Sequence, residues 1–491
     1  MGETTSWKCD VCGYIHQGDL PPGSCPICGV GPDMFSPFSI APAKPQTSKA
    51  WRCTICDYIH EGDSPPERCP LCGAGSDMFE PYEREVVAAV QSDVRRLVIV
   101  GAGIAGVTAA ENARSSSPEV GIQLVSSEPG LPYYRLNLTR LLAGEVGEQS
   151  MAIHDRLWYS EANIELVQGQ VLTIDREEKS VKLLNGPTLS YDRLVLASGS
   201  HAFVPPIPGS EKGGVHTLRT LDDTRDILKC AAASRRCVVI GGGLLGLETA
   251  GALHRQGMDV VIVERFGRLL PRQLAEPAAE MLRSHLEGLG IAVRAGVNTE
   301  AILGGDTVQA VRLVGGDELA ADLVVISAGV RPNSYLARQA KIEVDRGVLV
   351  DDRLATSDPD IFAAGDLAEH RGIVYGIWPT AYAQGVVAGA NAVGGAMSFE
   401  GLPFSNRLKV LDDVDVYSVG QFEPTDGSYR VVERQAKGTY IRLVCHDGKL
   451  VGANLYGDTT MANMVAEAIE KGTSLGAMPH FTEKYPELLQ Q

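Results

Sequence analysis

Two stretches of the chain share one arrangement of apolar and polar positions. Residues 95–128 (RRLVIVGAGIAGVTAAENARSSSPEVGIQLVSSE) and 235–264 (RRCVVIGGGLLGLETAGALHRQGMDVVIVE) each open with a short β-branched run. Each then passes through a glycine cluster into an Ala/Leu-rich stretch and ends in a second β-branched run closed by a glutamate. Runs of this length and composition predict strand, tight turn, helix and strand. From about residue 399 the pattern stops. Short strand-like runs follow, YSVGQF, YRVVE, YIRLVC and KLVGANLY, and then a helix-like MANMVAEAIEKG. They predict a small C-terminal α+β domain. No apolar run reaches the roughly 20 residues needed to span a bilayer.

The N-terminal region differs in kind. Residues 7–38 realign on 51–82 with 19 of 32 positions identical, so the chain begins with an internal repeat. A proline-containing spacer without apolar periodicity joins the copies, and residues 83–93 form a second connection. Eleven cysteines in 491 residues become informative only here. Eight fall within the first 72 residues, leaving Cys230, Cys237 and Cys445 beyond. The length also exceeds what one hydrophobic core supports. A formal charge of −17 would repel a phosphate backbone, and no nucleic-acid partner is expected. The first residues show neither the basic nor the apolar region of a secretory signal, so a cytoplasmic location is expected.

Each repeat spaces its cysteines C-x2-C-x12-C-x2-C: Cys9, Cys12, Cys25 and Cys28, then Cys53, Cys56, Cys69 and Cys72. Two close pairs of thiolates build a tetrahedral sulfur site suited to zinc or iron. On spacing alone zinc, as in zinc ribbons, comes first. His16 and His60 are not needed as ligands, because four sulfurs already complete a tetrahedron. The lone later cysteines show no ligand spacing and are expected to be buried small hydrophobes.

The segments Gly101-Ala102-Gly103-Ile104-Ala105-Gly106 and Gly241-Gly242-Gly243-Leu244-Leu245-Gly246 follow predicted strands and open predicted helices. In such a turn the first glycine permits the bend, the second admits a pyrophosphate and the third lets the helix pack closely. The phosphates then meet the positive helix end. Glu128 and Glu264 close the next strands, where an acid can accept a ribose hydroxyl. The chain therefore carries two dinucleotide sites, and their fingerprints do not say which nucleotide occupies which. Glu264 would repel a 2′-phosphate, which favours NADH. Arg265 and Arg268 stand close to it in sequence.

Three resemblances extend this reading. Cys9-Asp10-Val11-Cys12-Gly13-Tyr14, Cys25-Pro26-Ile27-Cys28-Gly29 and Cys69-Pro70-Leu71-Cys72-Gly73, with the aromatic Trp7, Trp51, Tyr14 and Tyr58, resemble rubredoxin knuckles and the rubredoxin-like domain of rubrerythrins. That resemblance implies iron at both sites. Asp57 departs from it by standing where the knuckle has glycine, although Asp tolerates positive φ. The body, over about 95–400, resembles FAD-dependent pyridine nucleotide oxidoreductases. The likeness rests on Ala197-Ser198-Gly199-Ser200, on Ala328-Gly329-Val330-Arg331-Pro332-Asn333 and on Ala363-Ala364-Gly365-Asp366. It implies FAD in the first unit and NAD(P)H in an inserted second unit. It also implies Asp366 near the flavin ribityl chain and Arg135 beside the FAD. Residues 101–229 contain no cysteine. The flavin-facing thiols of disulfide reductases and related peroxidases are therefore missing, and the body resembles NADH:rubredoxin oxidoreductases.

The expected architecture is α/β, with two Rossmann-like FAD/NAD-binding domains preceded by two four-cysteine rubredoxin-like domains and followed by a small α+β C-terminal domain. The expected boundaries are 1–40 and 49–83 for the four-cysteine domains, 94–215 with 326–398 for FAD, 216–325 for NAD and 399–491 for the last. The resemblance implies electron flow from NADH through FAD to the fused iron centres and on to rubrerythrin, superoxide reductase or a flavodiiron protein. It assigns no general acid or base. Glu248, Trp378 and Gln384 fall where the family packs helices near the flavin, and helix packing is their expected role. In the family the C-terminal region covers the flavin or makes a dimer contact, which admits a homodimer. Two other readings stay open. In one, zinc-ribbon modules dock a partner while the flavoenzyme reduces oxygen, a quinone or a separate rubredoxin. In the other, the chain is a nitrite-reductase-like flavin subunit.

Overall fold

The structure, a computed structural model, describes residues 6–9, 15–17, 20–24, 31–38, 47–85, 90–402, 405–410 and 414–477. The chain divides into two units, Met1–Lys49 with Glu83–Val86, and Ala50–Tyr82 with Val87–Gln491. In the first unit, strands Ser6–Cys9, Ile15–Gln17 and Phe35–Phe38 pair antiparallel around the first of them. Cys9 ends that strand. Cys12, Cys25 and Cys28 lie outside the described residues.

In the second unit, the strands predicted around both glycine clusters form two parallel five-stranded sheets. The first has the order Ile361–Ala363, Arg193–Leu196, Arg96–Val100, Gly121–Ser126, Ile164–Gln168. The second has the order Val215–His216, Leu323–Ile326, Arg236–Ile240, Asp259–Glu264, Ala292–Ala295. Four of the five residues in each glycine-bearing strand are buried, because helices cover both faces of a parallel sheet. Helix Ile104–Ser116 lies against helix Trp378–Ala392. A Cβ at Gly389 would come within 2.1 Å of the Ala109 carbonyl oxygen, so only glycine allows that approach.

The chain enters the second sheet and returns through paired strands, Ser200–Ala202 and Val330–Pro332. Val215 and Ile326 both lie in the second sheet, one residue outside the boundaries expected from sequence. The cause is strand pairing, which carries the sheet to the last residue that finds a partner. Beyond residue 399, five antiparallel strands pack a helix, Ala462–Glu470, against one face. Ser405–Val410 adds an edge strand that the sequence pattern did not reveal.

Candidate functional site

A cavity of about 1330 Å³ opens at the carboxyl ends of strands Arg96–Val100 and Gly121–Ser126, where ligands of open α/β sheets sit. Gly101, Gly103, Ile104 and Ala105 line it, as do Glu128, Arg135, Ala197, Ser198, Gly199, Gly365 and Asp366. Gly101 has φ +109, and a Cβ there would lie 2.2 Å from the Ala197 carbonyl oxygen. A Cβ at Gly106 would lie 1.8 Å from the Gly101 carbonyl oxygen, which seats the helix on the turn. A Cβ at Gly103 would meet nothing within 4 Å, and this residue caps the helix without any side-chain hydrogen bond. The free N–H groups of the first helical turn and the empty space before them fit a pyrophosphate. The residues present therefore fit FAD.

The polar wall of this cavity is one network. Ser200 Oγ donates to Asp366 at 2.8 Å, and Arg219 pairs with Asp366 at 2.9 Å while donating to Ser200 Oγ. Glu128 is paired with Arg135 at 2.5 Å and accepts from the Tyr133 hydroxyl at 2.6 Å. The acid expected to meet ribose is thus already engaged by two neighbours. Burial pushes the Tyr133 phenol up, so it stays a donor. Gln384, buried, accepts the Gly365 N–H at 2.8 Å and fixes the turn before Asp366. Gly329, at φ +99, accepts the Phe203 N–H in the strand connection and stands apart from the cavity wall.

The second glycine cluster repeats the first in detail. Gly241 has φ +121, with its would-be Cβ 2.2 Å from the Ser327 carbonyl oxygen. Gly246 packs on Gly241, and Gly243 is open. Glu264 is buried at 5% exposure and accepts N–H groups from Gly242 at 2.6 Å and Phe266 at 2.8 Å. Of the nearby arginines, Arg265 lies over the Phe266 ring and Arg268 pairs with Glu423 at 3.0 Å. Leu244 and Leu245 reach the first cavity, so the two nucleotide units meet there.

Glu248, from the same helix, also lines that cavity. Its carboxyl accepts from Thr139 Oγ1 at 3.1 Å, and burial raises its pKa to about 7. Trp378 stands at the start of its helix on the cavity wall. Both residues therefore face the cavity as well as packing helices.

In the second repeat, Cys53 and Cys69 are buried and Cys56 and Cys72 partly so. Their Sγ atoms all lie within 4.8 Å of one another, with Cys53–Cys72 at 3.6 Å and Cys56–Cys69 at 3.5 Å. A metal–sulfur bond of 2.3 Å gives a tetrahedron with an edge of roughly 3.8 Å. The thiols are free, and their spacing fits one tetrahedral ion. The knuckle geometry follows: Asp57 N–H donates to the Cys53 carbonyl and Gly73 N–H to the Cys69 carbonyl, both at 2.9 Å. Asp57 adopts φ +58 and Gly73 φ +74, so aspartate does replace glycine in the left-handed turn. His60 stands outside the four-sulfur cluster. Cys237 and Cys445 are buried, whereas Cys230 is only half-buried.

The second four-cysteine domain packs directly on the cavity wall. Tyr134 and Trp378 line the cavity on one side and, on the other, pack against the cluster of Cys53, Cys69, Leu71 and Phe79. The rings of Tyr58 and Tyr134 meet edge to face at 6.2 Å. Among the described residues no cysteine lines the cavity. Arg219 and Thr139 escaped the sequence reading, since each acts through a partner distant in the chain.

Residues 95–385 match the family described as pyridine nucleotide-disulphide oxidoreductase. Residues 7–36 and 51–80 match the rubredoxin-like domain of rubrerythrin, and residues 405–473 match the rubredoxin NAD+ reductase C-terminal domain. A nitrite reductase [NAD(P)H] of Bacillus subtilis is 37% identical over 77% of this chain and 47% of its own length. The chain thus spans about half the length of the curated relatives it matches first. A rubredoxin-NAD(+) reductase of Pseudomonas putida is 36% identical over 57% of this chain and 74% of its own. The solved NADH:rubredoxin oxidoreductase from Clostridium acetobutylicum is 30% identical, with a TM-score of 0.68 over 78% of this chain and 96% of that one. No helix among the described residues is long and apolar enough to cross a membrane.

Proposed function

The chain belongs to the pyridine nucleotide-disulphide oxidoreductase family, and from that premise we propose an NADH-dependent flavoprotein whose electrons pass through FAD to its own rubredoxin-type four-cysteine centres and on to a redox partner. The observation that carries this reading is the shared wall: Tyr134 and Trp378 touch both the cavity and the four-cysteine core. When bound, the flavin takes a hydride from nicotinamide and gives up electrons singly, and a tetrathiolate iron accepts one electron at a time.

The chain supplies position and electrostatics. Gly101, Gly103 and Gly106 cradle one pyrophosphate, and Gly241, Gly243 and Gly246 the other. Asp366, held by Arg219 and Ser200, orients the ribityl side. Glu264 sets the preference for NADH: a buried carboxylate repels a 2′-phosphate, and Arg268 is engaged with Glu423. Cys53, Cys56, Cys69 and Cys72 hold the second metal, and Cys9, Cys12, Cys25 and Cys28 the first. Among the described residues the cavity wall offers no thiol for a dithiol exchange step.

Anaerobic titration with NADH, followed by ultraviolet-visible absorption, tests the reading. The protein should be red from iron–thiolate bands beyond the flavin envelope, and those bands should bleach after the flavin does. A yellow protein containing zinc, or iron bands that persist beside reduced flavin, would overturn it. Rubrerythrin, superoxide reductase and flavodiiron proteins are the acceptors to offer next.

A further inference from the structure

The seat of the second four-cysteine domain is made by two side chains, Asn137 and Arg140, that do not line the cavity although their neighbours in the same segment do. Between the cavity residues Leu136 and Leu138 stands Asn137, 1% exposed. Its Nδ2 donates to the Pro70 carbonyl at 2.9 Å, across 67 residues of chain. One helical turn on, Arg140 Nη1 reaches the carbonyls of Pro70 at 3.4 Å and Leu71 at 3.3 Å, and the Asn137 Oδ1 at 3.3 Å. Glu145 holds the same guanidinium from behind at 3.2 Å. Pro70 and Leu71 are the two residues between the ligands Cys69 and Cys72. At Gly73 a Cβ would lie 3.2 Å from Arg140 Nη2, so the knuckle presents bare backbone to the arginine. Asn463 Nδ2 donates to Glu80 Oε2 at 3.5 Å, so the C-terminal domain touches the same small domain.

We propose that Asn137 and Arg140 form a latch that reads the Cys69-Pro70-Leu71-Cys72 knuckle and seats the second four-cysteine domain on the flavin cavity as its fixed electron port. The partner of this surface is a metal-bearing knuckle of the same chain, recognised by main-chain carbonyls. A buried amide left without a partner costs far more than an exposed one, so a knuckle seated over Asn137 in any pose that withholds the Pro70 carbonyl is penalised. Arginine adds charge-assisted donors aimed at two adjacent carbonyls, which fixes orientation as well as contact. The same segment holds Tyr134 and Leu138 on the cavity, so latch, aromatic contact and cavity wall move as one piece. Tether length alone would keep the domain nearby; the latch gives it one pose. This deepens the function proposed above and rests on it for the word "electron", while the seating itself stands independently.

The experiment uses the full chain with its cofactors, comparing wild type with Asn137→Asp, Arg140→Ala and Arg140→Lys. Asn137→Asp replaces a donor by a carboxylate facing a carbonyl; Arg140→Lys keeps the charge and loses the fork. Hydrogen–deuterium exchange is read in peptides covering 65–80 and 132–142, alongside stopped-flow reduction of flavin by NADH and of the iron–thiolate bands. Exchange should rise tenfold or more in both peptides for Asn137→Asp and Arg140→Ala, with Arg140→Lys between. Flavin reduction by NADH should change far less than the subsequent bleaching, which should slow tenfold or more. Unchanged exchange in the first two variants would overturn the latch, whatever the electrons do. Altered exchange in a protein whose wild type never bleaches its iron bands would keep the latch and sink the proposed electron route.

Discussion

Replacing Glu248 by glutamine should stabilise the protein, and only above a particular pH. The carboxyl sits beside the cavity with one hydrogen-bond donor, Thr139, and burial raises its pKa from 4.5 to about 7. Each factor of ten in proton affinity corresponds to about 1.4 kcal/mol, so this interval is worth about 3 kcal/mol as an upper value. The folded-state value lies above the unfolded one. The contribution of the neutral acid is therefore fully present below about pH 4.5 and is lost as pH rises through about 7. Glutamine has the shape of the neutral acid and accepts the same bond from Thr139, but it does not titrate. Urea unfolding of flavin-free wild type and Glu248→Gln between about pH 4 and pH 8 is the assay. The two proteins should be nearly equal at the acid end and separate toward about 3 kcal/mol at the alkaline end, the variant being the more stable. A difference that stays constant with pH would refute the claim that burial of this carboxylate is the cause.

Gly101→Ala should abolish flavin retention, because φ +109 and a carbonyl 2.2 Å from the new Cβ leave no room; the flavin-to-protein ratio after purification checks it. Arg219→Ala removes the cation from Asp366 and should weaken FAD binding about tenfold, or about 1.4 kcal/mol, read by flavin fluorescence on dilution. Glu264→Ala should narrow the preference for NADH over NADPH about tenfold or more in kcat/KM of flavin reduction, since the repelling carboxylate is gone. Cys56→Ser should halve the metal content measured by elemental analysis, leaving the first site loaded.

The features legible in the sequence are those whose physics is local. Two glycine clusters announce two sites because each glycine answers a demand of its own turn, and the structure shows the same clash at Gly106 and Gly246. Four cysteines at fixed spacing announce a tetrahedron, and even the exception at Asp57 could be anticipated from the φ preference of aspartate. What the sequence by itself determined was therefore the set of chemical parts and their order: two four-cysteine repeats, nucleotide turns, and residues 101–229 without cysteine. The tertiary structure decided how the parts meet. Arg219 finds Asp366 across 147 residues, Thr139 finds Glu248 across 109, and Asn137 finds Pro70 across 67. No spacing rule reports such pairs, because sheet order and domain docking place them together. The decisive case is the second four-cysteine repeat. The sequence showed a connection between it and the nucleotide-binding body; only packing, by burying Asn137 against a knuckle carbonyl and sharing Tyr134 and Trp378 between two cores, gives it a definite place at the cavity.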